Sequence, residues 1–219
     1  DDDLDEYDET IVVRLTSSSN VVIDSALPTH THTHTITSDD PPPSVSLTAA
    51  THTATEGSDS YVMTFQLSGP SGKQITVPYR VDQSSTATLG DDFAFDPAAQ
   101  SLTFQPGEIT KTVTVSFPDD NVHEGTELAV IVLDTPMNAT LGATARLDLT
   151  IEDNDPEPTV SWGSPGDQQE NERDMTSRSY TYNLVLAGLS SRTVTVTITP
   201  SGTATNGDDY SFPNGTQVT

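Results

Sequence analysis

The sequence predicts an all-β protein made of tandem antiparallel β-sandwiches. Two observations indicate this fold: apolar and polar residues alternate with a period of two in many segments, and whole motifs recur about 115 residues apart. No stretch of useful length keeps a helical period. Because a unit of this length suits one sandwich, we expect one core per repeat.

Three matches define the repeat. Residues 86–95 (TATLGDDFAF) return as 203–212 (TATNGDDYSF), 35–46 are echoed by 150–161, and 1–9 are echoed by 119–127. The predicted domains are residues 1–40, the C-terminal half of a repeat, 44–155, a complete repeat, and 158–219, the N-terminal half of another. This phase predicts that the chain is a window of a longer tandem array.

The alternating segments give the order of the strands. Thr, Val, Ile and Tyr fill them, as a half-buried pleated surface prefers, and Gly, Pro and Asn separate them. The predicted strands are 61–67, 74–81, 111–117, 127–133, 143–151 and 192–198. The residues of the complete repeat that we expect to be buried are Tyr61, Phe65, Leu67, Val77, Leu102, Val113, Val115, Val130 and Val132.

Composition excludes several classes of function. The chain has 33 acidic and 8 basic residues, a formal charge of −25, which argues against binding to nucleic acid or to an anionic membrane surface. It has no cysteine, and therefore no disulfide or thiol chemistry. The longest apolar run, residues 128–133, is too short to span a bilayer. No nucleophile elbow or catalytic triad is present, so we do not expect an enzyme.

The acidic residues of the complete repeat gather in a few loops. Glu56, the pair Asp91 and Asp92, the segment 119–127 and the segment 153–155 supply them. In an Ig-like strand order these loops converge at one end of the core, where carboxylates repel unless a cation lies among them. Calcium suits such a site because it accepts many oxygen ligands in irregular geometry. The alternative is a solvated acidic face.

The same loops carry a family resemblance. Five motifs occur in order: 55–57 (TEG), 86–93 (TATLGDDF), 102–108 (LTFQPGE), 119–127 (DDNVHEGTE) and 151–155 (IEDND). The complete repeat thereby resembles a Calx-beta domain, and the repeats extend the resemblance to a Calx-beta tandem array over essentially the whole chain. The resemblance implies an Ig-like, seven-stranded antiparallel sandwich that binds calcium at one end, often in tandem on extracellular proteins.

Carried over by motif, the resemblance implies a set of calcium ligands in the complete repeat. They are Glu56, Asp92, Asp119, Asp120, the backbone carbonyl of Val122, Glu124, Glu127, Asp153 and Asp155. Asn154 stands where the fullest calcium-binding members carry a third acid, and His123 is not expected to be a ligand. The first half-repeat matches at Asp1, Asp2, Glu6, Glu9, Asp39 and Asp40, and the third at Asp209 with Glu170 or Glu172. Both of these sites are expected to be incomplete.

Other residues have open interpretations. His30, His32 and His34 would share one side of a strand, a spacing that can bind a divalent metal. Their alignment with Ala145, Leu147 and Leu149 instead favours packing on an inner face, or a register shifted by a bulge. Asn138 and Asn214 begin N-glycosylation sequons, and Trp162 is interpreted as a core or interface residue.

These observations predict a non-catalytic, calcium-binding structural or adhesive repeat of a long extracellular or cell-surface protein, with a place in a filament. The expected partners are neighbouring repeats, like subunits of a fibre, and a cell-surface or matrix ligand. One alternative is a regulatory calcium sensor of a membrane transporter. Another is a spacer of a large secreted enzyme.

Overall fold

The computed structural model of the protein describes residues 3–16, 19–20, 22–23, 30–58, 60–163, 179–212 and 215–218. Asp1, Asp2, Glu170, Glu172 and Asn214, which the sequence analysis singled out, lie outside the described residues. Within them the structure contains strands and no helix that is long and apolar enough to cross a bilayer.

The strands fall into three groups along the chain. Glu9–Arg14 (β1) and Thr31–Ile36 (β2) come first. The complete repeat holds Ser44–Leu47 (β3), Thr51–Thr55 (β4), Tyr61–Leu67 (β5), Ile75–Val81 (β6), Ala94–Asp96 (β7), Ser101–Phe104 (β8), Thr110–Ser116 (β9), Val122–His123 (β10), Glu127–Leu133 (β11), Thr140–Leu141 (β12) and Arg146–Glu152 (β13). Thr159–Trp162 (β14), Leu184–Ala187 (β15), Leu189–Ser190 (β16), Val196–Thr197 (β17) and Gln217–Val218 (β18) follow.

The complete repeat is a β-sandwich, which confirms the predicted all-β fold class, but its two sheets have five strands each where a total of seven was predicted. One sheet has the order β4-β13-β11-β6-β8 and the other the order β12-β3-β5-β9-β7. Most neighbours are antiparallel, but β4 pairs with β13, and β3 with β12, in parallel. Both parallel pairs lie at the edge of a sheet. They form because β3 and β4, the first two strands of the repeat, belong to different sheets and each pairs with a strand from the C-terminal part of the repeat.

The core lies between the two sheets and is built from alternating residues of each strand. Its largest fully buried side chains include Tyr79, Phe65, Phe93 and Phe104. The Tyr79 hydroxyl donates a 2.6 Å hydrogen bond to the Ala99 carbonyl, which satisfies the polar end of a buried ring. The core therefore contains aromatic rings without leaving the tyrosine oxygen unpaired.

Burial follows the sequence prediction with one shift of register. Phe65, Leu67, Val77, Val113, Val115 and Val130 are buried, whereas Tyr61, Leu102 and Val132 are half-buried. In β11 the residues that join the central core are Ala129, Ile131 and Leu133. The choice of Val132 as a core residue was wrong because β11 is apolar on both faces and gives no alternation to read.

The strand pairings of the flanking segments match pairings inside the complete repeat. Ile11 faces His34 in the β1–β2 pair as Ala129 faces Leu149 in the β11–β13 pair. The β14–β15 pair matches β3–β5 residue for residue, and β17–β18 matches β6–β8. The repeated sequences therefore form repeated local structure.

The β1–β2 hairpin is exposed along its whole length, which corrects the packing prediction for the three histidines. His32 and His34 are exposed and His30 is half-buried, since no second sheet covers this face among the described residues. Trp162 occupies the position of the buried Leu47 but is 60% exposed, and it contacts the ring of Tyr182 edge-on. Of the two predicted roles, a core residue is therefore not met in the described part of the chain, and an interface residue stays a prediction.

Candidate metal centre

Three strand ends of the complete repeat meet at one end of the sandwich. The amide of Glu56 donates to the carbonyl of Glu152 at 3.1 Å, which joins the end of β4 to the end of β13. The amide of Gly57 donates to the carbonyl of Phe117 at 3.0 Å, which adds the end of β9. Acidic residues that are far apart in the sequence thus reach one place.

Gly57 lets the acidic loops approach this closely. Its φ is +62°, in the left-handed region that glycine adopts without strain. A Cβ at this position would lie 2.7 Å from Asp119 Oδ1, closer than a carbon can approach an oxygen without displacing it. The Glu56-Gly57 turn therefore requires a glycine beside Asp119.

The centre consists of two groups of carboxylates that share Glu56. Oxygens of Glu56, Asp120 and Asp155 lie within 4.8 Å of one another, and so do oxygens of Glu56, Asp92 and Glu124. Glu56 is buried, with 7% of its surface exposed, whereas the other four are half-buried or exposed. Glu56 thus bridges two positions, each able to hold one cation.

Two buried oxygens at this centre have no hydrogen-bond partner within the described part of the chain. They are Glu56 Oε2 and Asp155 Oδ2. An unpaired buried carboxylate oxygen is costly, and a cation would satisfy both oxygens at once. The ligand atoms of both three-residue groups are carboxylate oxygens, which suit a hard divalent cation such as calcium. The residues therefore fit a calcium ion by chemistry and by their unmet bonding capacity.

The pKa values of these carboxylates also indicate a site that favours a positive charge. Burial, and then the charges of Asp120 and Asp153, raise the pKa of Glu56 to about 7. Burial, and then its contact with Asp92, raise the pKa of Glu127 to about 7. Burial and neighbouring carboxylates also raise the pKa of Glu124 and of Asp155. Each of these groups would ionise more readily beside a cation.

Asp153 differs from these residues because protein groups already hydrogen-bond its carboxylate. Its carboxylate accepts the amides of Asp155 and Glu124 at 3.0 and 3.1 Å and contacts His123 Nδ1 at 2.7 Å. Burial alone would raise the pKa of Asp153, but these contacts lower it below the ordinary value. Asp153 therefore holds the loop of residues 122–124 in place and is not part of either three-carboxylate group.

The remaining implied ligands are partly engaged as well. Asp119 Oδ1 accepts a 2.9 Å hydrogen bond from Asn154 Nδ2, and Asp92 Oδ2 accepts the amide of Thr88 at 2.5 Å. Asp120 Oδ1 accepts the amide of Val122 at 2.7 Å, which shapes the loop that carries the Val122 carbonyl. Each of these carboxylates keeps a second oxygen for other contacts.

One contact at the centre comes from beyond the complete repeat and was missed by the sequence analysis. The carboxylate of Glu124 hydrogen-bonds with Ser191, which follows β16. The signal that could have found it is a recurrence: residues 71–73 (SGK) and 190–192 (SSR) occupy the same position in consecutive repeats.

The described residues of the two flanking half-sites do not form a metal group. Glu6, Glu9, Asp39 and Asp40 form no three-carboxylate group among the described residues, and neither does Asp209. Asp209 Oδ2 accepts the amide of Thr205 at 2.7 Å, the turn that Asp92 makes with Thr88 in the complete repeat.

The side-chain amide of Asn138, the sequon asparagine that the structure describes, already makes a hydrogen bond. Asn138 Nδ2, the atom that an N-linked glycan would occupy, donates to the carbonyl of Gln74 at 2.8 Å. Asn138 has a φ of +59°, so this bond accompanies a turn. A glycan there would have to displace the contact with Gln74.

Comparison with known proteins identifies the family. The sequence model of the Calx-beta domain matches residues 38–155 and 174–218, most of the chain. The protein belongs to the Calx-beta family. The acidic end of its complete repeat is therefore the acidic end of a Calx-beta domain.

The Calx-beta protein has relatives among much longer proteins. Extracellular matrix protein 3 of Lytechinus variegatus is 37% identical over 82 residues, 36% of this chain and 3% of that protein. Extracellular matrix organizing protein FRAS1 of Mus musculus is 30% identical over 121 residues, 54% of this chain and 3% of that protein. The chain thus spans about 3% of the length of either relative.

Similar solved structures include Calx domains. The apo form of the Calx CBD1 domain is 22% identical with a TM-score of 0.45, over 52% of this chain and 99% of that one. CBD12 from CALX1.2 is 23% identical with a TM-score of 0.44, over 51% of this chain and 44% of that one.

Proposed function

We propose that the complete repeat binds calcium at the centre around Glu56 and serves as a non-catalytic structural or adhesive module of a long extracellular or cell-surface protein. The observation that carries this proposal is the buried Glu56 carboxylate, which has one unpartnered oxygen and is shared by two acidic groups. A buried anion of this kind is stable in its charged form only beside a cation.

The proposed ligands divide between the two positions. Glu56, Asp120 and Asp155 would hold one ion, and Glu56, Asp92 and Glu124 the other. Glu127 adjoins Asp92, while Asp119, Asp153 and the Val122 carbonyl complete the set that the family implies. Calcium would supply positive charge that neutralises the carboxylates and ties together the ends of β4, β9 and β13.

The extracellular setting rests on the named relatives, both of which are extracellular matrix proteins. The matched strand pairings further support the assignment of residues 1–40 and 158–219 to adjoining repeats of the same kind. In an array of this kind stability depends on each repeat and on its contacts with its neighbours. We therefore propose neighbouring repeats, in the same chain or in a fibre, as the principal partners.

Titration calorimetry of the calcium-stripped chain tests the proposal. A structural module is expected to bind calcium with a dissociation constant of about 10⁻⁴–10⁻³ M, as extracellular calcium modules do. Glu56→Gln should abolish most of the binding, whereas Gln66→Glu, which adds a charge outside the centre, should leave it unchanged. A dissociation constant of about 10⁻⁷–10⁻⁵ M would favour the sensor alternative. Absence of binding heat and of any melting shift would make the centre a solvated acidic face.

A further inference from the structure

The sequence on either side of the complete repeat forms the same contact twice. At the first place the backbone of Asp5 bridges that of Ser71 in parallel, and at the second β10 pairs with β16 in parallel, with His123 opposite Ser190. Asp5 corresponds to His123 in the 1–9 and 119–127 match, and residues 71–73 correspond to 190–192. The two contacts therefore join equivalent residues of consecutive repeats.

The hydrogen bonds at the two contacts are the same, atom for atom. The carbonyl of Asp5 accepts the Ser71 hydroxyl at 3.1 Å and the Gly72 amide at 2.9 Å. The carbonyl of His123 accepts the Ser190 hydroxyl at 3.0 Å and the Ser191 amide at 3.2 Å.

The serine hydroxyl has a second partner in both contacts. Ser71 Oγ accepts the amide of Lys73 at 3.0 Å, and Ser190 Oγ accepts the amide of Arg192 at 3.0 Å. The hydroxyl thus donates to the preceding repeat and accepts from its own, which uses both of its bonding functions. An alanine in its place would leave the carbonyl with one fewer donor.

A cation accompanies each contact. Lys73 Nζ lies 5.3 Å from the centre of the Tyr7 ring and 2.6 Å from Asp5 Oδ1, and Asp5 is only 4% exposed. Arg192 lies against Gly125, the residue equivalent to Tyr7, with Nη1 3.3 Å from where a Cβ would be. A basic residue two positions after the serine thus covers the same point of the preceding loop at both contacts.

We propose that this arrangement, a loop of one repeat clipped to a Ser-x-Lys/Arg segment of the next, is the standard joint of the array. Its partner is a further repeat of the same kind. The hydrogen bonds of the joint are all made between protein atoms, and the second joint adjoins the metal centre through the contact between Glu124 and Ser191. Because a head-to-tail contact made the same way at each step relates neighbours by one rotation and one translation, the array is a regular filament. The serine fixes the backbone register, and the basic residue fixes the loop that it covers.

Hydrogen exchange on the whole 219-residue chain, kept calcium-free, tests the joint. Ser71→Ala should raise exchange of the Gly72 amide, which donates to the Asp5 carbonyl, about fivefold, and Ser190→Ala that of the Ser191 amide, which donates to the His123 carbonyl, by a similar factor. The amides of Lys73 and Arg192 lose their own acceptor in these variants, so they do not report on the joint. Exchange in β9 should stay unchanged in both variants, because the repeat itself remains folded.

The matched control is Ser85→Ala. Ser85 Oγ accepts the amide of Val130 at 2.9 Å inside a single repeat, so its removal should leave both joints protected. Lys73→Met adds a test of the ion pair: it should raise exchange at residues 72–74 at least about tenfold, since it leaves a buried carboxylate unpaired. Lys111→Met, which breaks the Lys111–Glu108 pair within the repeat, should not.

Two results would overturn the inference. Unchanged exchange at either joint after removal of its serine would show that the contact is not a repeated joint. Exchange that rises in β9 together with the Gly72 amide in Ser71→Ala would show that this serine stabilises its own repeat and not the contact between repeats.

Discussion

Asn154 places its amide nitrogen 2.9 Å from Asp119 Oδ1 and 2.9 Å from the carbonyl of Glu56. The resemblance of the sequence to calcium-binding Calx-beta domains implies an acid at this position, and this chain has the asparagine instead. The Asn154 amide therefore donates hydrogen bonds to two oxygens, those of Asp119 and of the Glu56 backbone, which would otherwise lie near each other with no donor between them. In this repeat a neutral amide performs part of the task that a cation would perform.

An acid at position 154 should destabilise the calcium-free protein and strengthen calcium binding. In Asn154→Asp a carboxylate replaces the donor beside Asp119 and the Glu56 carbonyl, so we expect the calcium-free protein to be about 1–3 kcal/mol less stable. Calcium affinity should rise, since carboxylate count tunes it. Chemical denaturation without calcium and calorimetry with calcium measure the two effects.

The control for this substitution is Gln66→Glu, which adds the same charge on the exposed side of β5. It should change neither quantity by more than about 0.5 kcal/mol, as is usual at a surface position. A stable calcium-free Asn154→Asp protein with unchanged affinity would mean that Asn154 only links loops.

Calcium should stabilise the folded chain by mass action. At a free concentration 100 times the dissociation constant, one site adds about 2.7 kcal/mol to the free energy of unfolding. Differential scanning calorimetry with calcium and with chelator should therefore give clearly separated midpoints. Equal midpoints would count against a site at Glu56, and magnesium at the same concentration controls for general screening.

The sequence predicted the sandwich and the acidic end of the complete repeat because short, local sequence patterns indicate both. Period-two alternation marks strands such as β9, and the recurrence of a Gly-Asp-Asp motif marks Asp92 and Asp209. The inward face of β11 was not predictable, since Val130 and Ile131 are equally apolar and burial of both faces removes the alternation.

The sequence also could not predict which acids belong to the two three-carboxylate groups and which hold a loop in place. Asp153 and Asp120 are chemically alike, and only the fold brings His123 and the amides of Glu124 and Asp155 to the first of them. The pair of the half-buried Lys73 with the buried Asp5 joins two repeats, and the sequence of one repeat alone does not indicate it. Contacts of this kind depend on how separate loops meet in space.

The calcium-free protein should lose stability as the pH rises toward neutrality. Glu56 and Glu127 have pKa values of about 7 in the folded protein against an ordinary value of 4.5, so the folded state holds protons that the unfolded state releases. Their contribution is fully present below the unfolded value and is lost as the pH rises through about 7. Melting temperatures of the chelated protein should therefore fall between these two pH values.

Two comparisons make this pH dependence specific. Glu56→Gln should remove the part of the fall that Glu56 causes and leave the part that Glu127 causes, whereas Glu9→Gln, at an exposed position outside the complete repeat, should leave the whole fall unchanged. Saturating calcium should remove the fall, because the ion stabilises the ionised carboxylates. A fall of unchanged size in Glu56→Gln, or one that persists in saturating calcium, would point to other groups.

Removal of two charges from the centre should separate ligands from bystanders. Asp120→Asn with Glu124→Gln keeps shape and most hydrogen bonds but takes one carboxylate from each of the two groups that share Glu56. Calcium affinity should fall at least about tenfold, since carboxylate count tunes it. The calcium-free form should become more stable, because repulsion at Glu56 is relieved.

A matched double variant outside the centre should differ in both measurements, with unchanged calcium affinity and slightly lower stability. Asp148→Asn with Glu108→Gln also removes one aspartate and one glutamate, but these carboxylates pair with Arg146 and Lys111 at 2.6 and 2.8 Å. Calcium affinity should stay unchanged, and stability should fall slightly, by about 0–1 kcal/mol for each exposed pair. Equal responses of the two double variants would mean that total charge governs the protein. Opposite responses would assign the effect to the carboxylates around Glu56.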